Sequence, residues 1–281
     1  MMTIILYILI SAASLIILFI LASCVVSRQF HNFVDREIKE VLQQDLTPNR
    51  QLTAEDLEGL PECVQLWLRN SQVVDREMIH RARVRQTGRM KTSPEGRWMP
   101  FEADYYYNVD QPGFVWYARV RFAPGVRLLA RDKYFNGIGS MLIKLLGIFP
   151  VVNINGGVGI NQGSLLRYLA EMVWFPSAAV SSEIHWEAID SYTARATLKH
   201  NGITGSGVFR FNEQGEVVEF SATRPRAVGD HFEMTPWCIP ITEHQFFDGL
   251  RVPSKGEVIW KLENGDFSWF QFQVQEAEYN F

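Results

Sequence analysis

The sequence predicts an α+β protein: an N-terminal transmembrane helix followed by a curved, mostly antiparallel β-sheet with a central lid-like helix. Three observations support this prediction. Residues 4–26 include no charged side chain, later segments alternate apolar and polar residues with the period of strands, and helical periodicity interrupts that alternation over residues 164–175. The expected organisation is an anchor over residues 1–28, a juxtamembrane and helical segment over 29–75, and a β-rich domain over 76–281.

The uncharged run of residues 4–26 is long enough to cross a hydrocarbon core of about 30 Å as a helix. Only three residues precede it, so it lacks the basic region of a cleaved signal peptide. We therefore expect a single-pass protein of the cell membrane. One alternative stays open, because the small residues before Cys24 match the lipobox of bacterial lipoproteins, whose cysteine is lipidated. The side of the membrane is left open, since basic and acidic residues alternate after the run.

The anchor is expected to continue as an amphipathic juxtamembrane helix that ends near Asp45. The apolar residues that recur at helical spacing there are Phe30, Val34, Ile38, Val41 and Leu42. A second, short helix is expected to begin at Pro61, because proline suits the first helical turn.

Two groups of strands are expected, one on each side of the central helix. Alternation in residues 101–107 and 116–122, with a turn at 111–113, predicts a hairpin in the first group. The second group contains the dipeptides Asn201-Gly202, Asp248-Gly249 and Asn264-Gly265, which favour tight hairpin turns. Both groups are therefore predicted to be antiparallel meanders.

The central helix is expected to begin with Ser164 as its N-cap and to end before Pro176. Arg167, Glu171 and Trp174 share one of its faces. The pair Arg167 and Glu171, spaced i,i+4, has two interpretations. It is either a surface ion pair that supports the helix or a pair of polar groups that faces a cavity and fixes a polar head group.

Composition and motifs give no support to nucleic-acid binding, metal binding or a cofactor. The formal net charge is −4, whereas phosphate neutralisation needs a basic face. Cys63 and Cys238 form no CxxC pair, and are expected as buried thiols, or as a disulfide if the domain lies outside the cytoplasm. The glycine-rich stretch 155–163 has Gln162 where a nucleotide fingerprint needs glycine, so we expect a flexible connection there.

No catalytic or metal-binding residue is assigned, because no histidine has two further ligands or a positioned partner nearby in sequence. The basic run over residues 76–91 has two interpretations: contact with anionic lipid head groups, or a solvated strand face that resists edge pairing.

Aromatic residues are the most informative side chains, at 13% of the chain. A curved sheet lined by rings and closed by an amphipathic helix makes an apolar pocket; aromatic packing inside a filled core is the alternative. The candidate ligand-binding residues are Trp116, Tyr134, Arg167, Glu171 and Trp174.

Several motifs together resemble a bacterial family of membrane-anchored proteins of unknown function. They are Trp98-x-Pro100-Phe101, Pro112-Gly113-Phe114-Val115-Trp116, Arg131-Asp132-x-Tyr134, residues 166–176 and Thr235-Pro236-Trp237. The resemblance extends from about Leu60 onward and brings no catalytic residues. A helix between antiparallel meanders is also similar in architecture to the half-barrel of lipoprotein-localisation carriers, which hold acyl chains beneath a helical lid. Such an analogy is a weak basis for function.

The leading functional hypothesis is non-catalytic binding of a membrane lipid or another apolar ligand at the cell membrane. One alternative is an enzyme that acts on a membrane-derived substrate, with Arg167, Glu171 and a histidine as its polar groups. Another is an envelope interaction or scaffold protein, whose protein partner the sequence does not identify.

Overall fold

A computed structural model describes residues 2–43, 49–229 and 231–281. Its α-helices are α1 (Met2–Leu42), α2 (Glu62–Asn70) and α3 (Val158–Glu171). Short 3-10 helices cover Glu55–Leu57, Met172–Trp174 and Pro176–Val180. Over the residues described, no helix is long and apolar enough to cross a membrane.

The strands in the described ranges form one antiparallel sheet of thirteen members. They are β1 (Arg81–Met90), β2 (Met99–Asn108), β3 (Gly113–Ala123), β4 (Val126–Phe135), β5 (Ile138–Leu145), β6 (Phe149–Asn155), β7 (Ile184–Asp190), β8 (Thr193–His200), β9 (Ile203–Phe211), β10 (Val217–Val228), β11 (His231–Phe247), β12 (Leu250–Leu262) and β13 (Gly265–Tyr279).

Two meanders make up this sheet, in the order β6-β5-β4-β3-β2-β1-β13-β12-β11-β10-β9-β8-β7. They join where β1 pairs with β13, with Val84 opposite Ala277. Strands β6 and β7 are the two edges, and α3 lies in the connection between them. Because α3 contacts β5 from the first meander and β9 and β10 from the second, the sheet curves around it. The predicted curved antiparallel sheet with one helix across it is confirmed.

Hairpin turns account for much of the agreement between sequence and fold. Asn201 and Gly202 have φ angles of 48° and 76°, and Asp248 and Gly249 have 46° and 75°. Two successive left-handed residues give a turn whose twist matches that of the flanking strands. Each pair therefore connects its strands directly, β8 to β9 and β11 to β12.

The start of α3 differs from the prediction. The helix begins at Val158, and Ser164 lies inside it with 3% of its surface exposed, so the prediction of Ser164 as the N-cap is wrong. Gly156 and Gly157, with φ of 71° and 114°, reverse the chain just before the helix. Gly159 lies in the first turn of the helix, where a Cβ would lie 2.5 Å from the Phe232 ring, so the packing of Phe232 leaves no room for a side chain at this position. Tertiary packing thus outweighs the low helix propensity of glycine.

Helix α1 packs on the convex face of the sheet. Phe30 and Val34 are buried against Val115 and Tyr117 of β3. Side chains alternate between the two faces of a strand, so Val115 and Tyr117 lie on the opposite face from Phe114. Helices α1 and α3 therefore lie on opposite faces of one sheet. The predicted end of this helix near Asp45 lies outside the described residues.

Ion pairs between Glu37 of α1 and two basic residues of β4 attach the helix to the sheet. The Glu37 carboxylate forms ion pairs with Arg131, 2.9 Å from Nε, and with Lys133, 3.5 Å from Nζ, and all three side chains are largely buried. Asn108 adds a hydrogen bond from Nδ2 to the Val41 carbonyl at 2.9 Å. The C-terminal half of α1 is thus part of the folded domain.

The main hydrophobic core lies on the concave face. Helix α2 contributes Trp67, whose ring lies 6.3 Å from the Phe209 ring and 6.4 Å from the Trp186 ring.

Cys63 and Cys238 are free and buried, and burial raises the pKa of both thiols. The expectation of buried thiols is therefore confirmed.

Candidate ligand-binding cavity

A cavity of about 240 Å³ lies between the concave face and α3. Its walls are almost entirely apolar. Four charged side chains also line it: Asp132, Arg167, Glu171 and Arg224. Because α3 covers the cavity and the edges of the sheet lie on either side of the helix, the space is enclosed by the fold rather than by surface loops. This cavity agrees with the sequence-based interpretation of a pocket lined by aromatic rings, although most of those rings also belong to the packed core.

Four tryptophans line the cavity: Trp116, Trp237 and Trp269 from the two meanders, and Trp174 from the 3-10 helix that follows α3. Trp174 is held in place by a hydrogen bond from Nε1 to the Pro253 carbonyl at 3.0 Å and an edge contact with Phe272 at 5.5 Å. Rings with few rotatable bonds lose little entropy when they contact a ligand. The cavity therefore has rigid, apolar walls.

A buried ionic network lies where α3 crosses the first meander. Arg167 Nε donates to Glu171 Oε1 at 2.8 Å, and Arg167 Nη1 donates to Asp132 Oδ2 at 2.5 Å. Nη2 also contacts the Tyr105 hydroxyl. Tyr107 donates to Glu171 Oε2 at 3.0 Å. Arg167 and Glu171 are mostly buried, so the interpretation of this pair as a surface ion pair is wrong.

Burial and pairing fix the protonation states in this network. Burial raises the pKa of the Glu171 carboxyl above its ordinary value, while Arg167 and the two tyrosine hydroxyls oppose that rise. Burial alone would lower the pKa of Arg167, but Glu171 and its neighbours hold it well above its ordinary value. Burial raises the pKa of Tyr105 and Tyr107 strongly. Arg167 therefore stays charged, and both tyrosines keep the protons that they donate.

The structure brings together four of the five residues predicted to bind a ligand. Trp116, Arg167, Glu171 and Trp174 line the cavity, whereas Tyr134 does not. Tyr134 is fully buried, and its hydroxyl lies 2.9 Å from His200 Nδ1, between β4 and β8. Its place is in the packed core that joins the two meanders.

Sequence reasoning missed Asp132, Arg224 and Trp237 as cavity residues. Arg224 falls on the same face of β10 as buried Phe220, since the two are four residues apart on a strand. That alternation was the available signal for Arg224. Alternation also places Asp132 on the same face of β4 as Tyr134, two residues later, but its partner Arg167 is distant in sequence and on another element.

A second space of about 480 Å³ adjoins the cavity. The residues that line both are Met90, Thr92, Asp132, Met141, Arg224 and Trp269. This groove also contacts Val152 and Ile154 of β6 and Phe232 of β11. Arg224 therefore lies at the junction between an inner apolar cavity and an outer groove.

Histidine is missing from the cavity walls. None of the six histidines of the chain is among the residues that line it. His185 and Glu187 are exposed on β7, 3.7 Å apart. Within the described ranges, no three histidine, cysteine or acidic side chains are grouped so as to hold a metal ion. The histidine that the enzyme alternative requires is thus not placed beside Arg167 and Glu171.

The basic run of β1 faces acidic residues on its neighbouring strands. Arg83 pairs with Asp104 at 3.1 Å and Glu278 at 3.3 Å, and Arg85 pairs with Glu276 at 3.0 Å. These cross-strand pairs compensate the positive charge of the run. The interpretation as a solvated strand face agrees with this arrangement.

The chain was compared with known proteins. No curated protein matches it. Among solved structures, a LolA superfamily protein from Nitrosomonas europaea is similar at a TM-score of 0.45 and 10% identity, covering 78% of this chain and 94% of that one. A DUF1329 family protein from Desulfovibrio piger is similar at 0.41 and 10%, covering 78% and 92%. A domain assigned to outer membrane lipoprotein sorting in Vibrio parahaemolyticus is similar at 0.37 and 7%, covering 78% and 91%.

Structural similarity at these TM-scores and identities supports no conclusion about a ligand. The family comparison is more specific, because residues 50–272 match the model of a family of unknown function, DUF6544. That match includes every strand from β1 to β12 and the helix across the sheet. The expectation of a family without an assigned activity is confirmed: the chain belongs to the family of unknown function DUF6544.

Proposed function

We propose that this protein binds a lipid or another apolar ligand in the cavity between α3 and the sheet, without catalysing a reaction on it, at the cell membrane. The enclosed apolar cavity of about 240 Å³ carries the proposal. Each methylene group that leaves water for such surroundings contributes about 0.8 kcal/mol. A cavity with these walls therefore favours ligands with extended hydrocarbon parts.

Membrane attachment is the part of the proposal that rests on sequence. The uncharged residues 4–26 would form the anchor, with lipidation of Cys24 as the alternative. Ser23 Oγ donates to the Leu146 carbonyl at 3.3 Å, and from Phe30 onward α1 packs on the convex face. Residues 4–26 and the docked residues from Phe30 onward belong to one helix, α1. Such an anchor would therefore hold the cavity at a fixed height and orientation above the bilayer.

Carbonate extraction of cell membranes tests the attachment. The full chain is expected to stay in the membrane fraction, and a variant lacking residues 2–22 is expected to be released. Cys24→Ala distinguishes the two kinds of anchor: retention of this variant supports a helix, whereas its release together with a lost lipid mass supports a lipoprotein. Release of the unaltered chain would contradict attachment of either kind.

Energy transfer from the cavity tryptophans tests the binding. The full chain, kept in solution by an amphipathic polymer, is titrated with a dansyl-labelled fatty acyl methyl ester. We expect saturable transfer that Ala170→Leu weakens, because Ala170 lines the cavity and the larger side chain fills it. Ala188→Leu is the matched control, since Ala188 is exposed on β7. No saturable transfer, or equal transfer in both variants, would refute binding in this cavity.

A further inference from the structure

We infer that the ligand is an amphiphile whose anionic head group, a carboxylate or a phosphate, is bound by Arg224 where the cavity meets the outer groove. This inference rests on the proposed function and names the class of ligand. It depends on three features of Arg224: a fixed orientation, donors without acceptors, and a place at the mouth of an apolar space.

The guanidinium of Arg224 is held in one orientation. Arg224 Nε donates to the Gly163 carbonyl of α3 at 3.0 Å. The guanidinium carbon lies 4.9 Å from the centre of the Trp237 ring and 5.8 Å from that of the Trp260 ring. Aromatic faces attract a guanidinium and restrict its motion. The remaining donors of Arg224 therefore point in fixed directions before a ligand arrives.

Those donors have no acceptor in the described part of the chain. No carboxylate there lies within ion-pair distance of Arg224: Asp132 and Glu171, which also line the cavity, both pair with Arg167, and Asp132 Oδ1 is buried without a hydrogen-bond partner of its own. The Nε1 donor of Trp237, next to the guanidinium, is buried and lacks an acceptor too. Buried polar groups normally have hydrogen-bond partners. Oxygen atoms of a bound head group would supply them.

The half-buried guanidinium of Arg224 has lost part of its hydration in the absence of a ligand. Burial and, to a smaller extent, repulsion from Arg167 together lower the pKa of Arg224 to about 10, against the attraction of Asp132 and Glu171. At neutral pH the group is still charged. An anion would recover part of the energy lost on desolvation, because charge-assisted hydrogen bonds are stronger than neutral ones.

The position of Arg224 matches the two parts of an amphiphile. It lines both the inner cavity and the outer groove. Beyond it, the inner walls are formed by apolar side chains such as Val120, Leu128 and Ile143. A head group at Arg224 therefore leaves its hydrocarbon chain directed into the apolar space.

Three probes that share one chain test this inference. They are dansyl-undecanoic acid, the matching alkyl phosphate and the neutral methyl ester, each titrated into the full chain by energy transfer. We expect the two anions to bind about tenfold to a hundredfold more tightly than the ester, the range that charged hydrogen bonds give. Which anion binds more tightly distinguishes a carboxylate head group from a phosphate.

Arg224→Met is expected to remove the preference for anions while leaving binding of the ester unchanged, because methionine keeps apolar contact with Trp237. Arg210→Met is the matched control: it removes the same charge from an exposed site on β9 and should keep the preference. Equal binding of all three probes by the unaltered chain would overturn the inference while leaving the proposed function intact. Failure of every probe to bind would instead refute the proposed function.

Discussion

Arg167 of α3 donates a hydrogen bond from Nη1 to Oδ2 of Asp132 on β4, 2.5 Å away, with both side chains buried. The same guanidinium binds Glu171 one turn later on α3. One cation therefore compensates two buried carboxylates and fastens the helix to the first meander. Arg167 is thus the polar residue that links α3 to β4.

Arg167→Met is expected to lower the free energy of unfolding by about 3–5 kcal/mol, because it leaves buried charges without a partner. Urea unfolding followed by tryptophan fluorescence measures the loss. Lys255→Met is the control: Lys255 forms an exposed pair with Glu243, and such pairs contribute about 0–1 kcal/mol. Equal losses in the two variants would show that the buried network does not stabilise the fold.

Stability is expected to fall as the pH is lowered through about 6.5, the ordinary pKa of histidine. Burial lowers the pKa of His200, and also that of His244, in the folded state. Below pH 6.5 these two histidines thus bind more protons in the unfolded chain than in the folded chain, and their contribution penalises the folded state. Thermal unfolding between pH 5.5 and 7.5 measures the loss.

His200→Gln should reduce this loss, since glutamine does not titrate and can still accept from the Tyr134 hydroxyl. His185→Gln, at an exposed position on β7, should leave the pH dependence as it is. If His200→Gln kept the full pH dependence, protonation of His200 would not be its cause.

Trp67→Ala is expected to cost about 3–5 kcal/mol of unfolding free energy, the range for removing a large aromatic side chain from a core. Trp67 has 3% of its surface exposed and packs against Phe209 and Trp186. Leu66→Ala on the same helix should cost about 1 kcal/mol or less, because Leu66 is 42% exposed. Chemical denaturation of both variants provides the comparison, and a small loss for Trp67→Ala would mean that α2 is not part of the core.

Glu37→Lys should detach the C-terminal half of α1 from the sheet, because the new charge faces Arg131 and Lys133 in place of its partner. Hydrogen exchange is expected to accelerate over residues 28–42 and to stay slow in β3 and β4. Arg36→Glu reverses a charge at an exposed neighbouring position and should preserve protection. Unchanged protection in Glu37→Lys would show that contacts other than the Glu37 ion pairs hold α1 on the sheet.

The sheet could be predicted because its signals are local. Alternation identifies strands such as β2 and β3, and Asn-Gly or Asp-Gly identifies the turns of the second meander at residues 201–202, 248–249 and 264–265, so these neighbouring strands pair without further information. The start of α3 could not be predicted from local patterns. Gly159 packs against Phe232, which is distant in sequence, so no neighbouring residue indicates that the helix includes this glycine. The choice between Tyr134 and Arg224 as a cavity residue depends on the curvature of the sheet. Curvature is a property of thirteen strands together, and no local pattern encodes it.

The connection of α3 to both edge strands limits how the cavity can change size. Helix α3 is joined at one end to β6 and at the other, through the 3-10 turns, to β7. It therefore has no free end about which it could rotate away from the sheet. If α3 moved to admit a bulky ligand, β6 and β7 would be expected to move with it. A change in the volume of the cavity would then require a change in the curvature of the whole sheet.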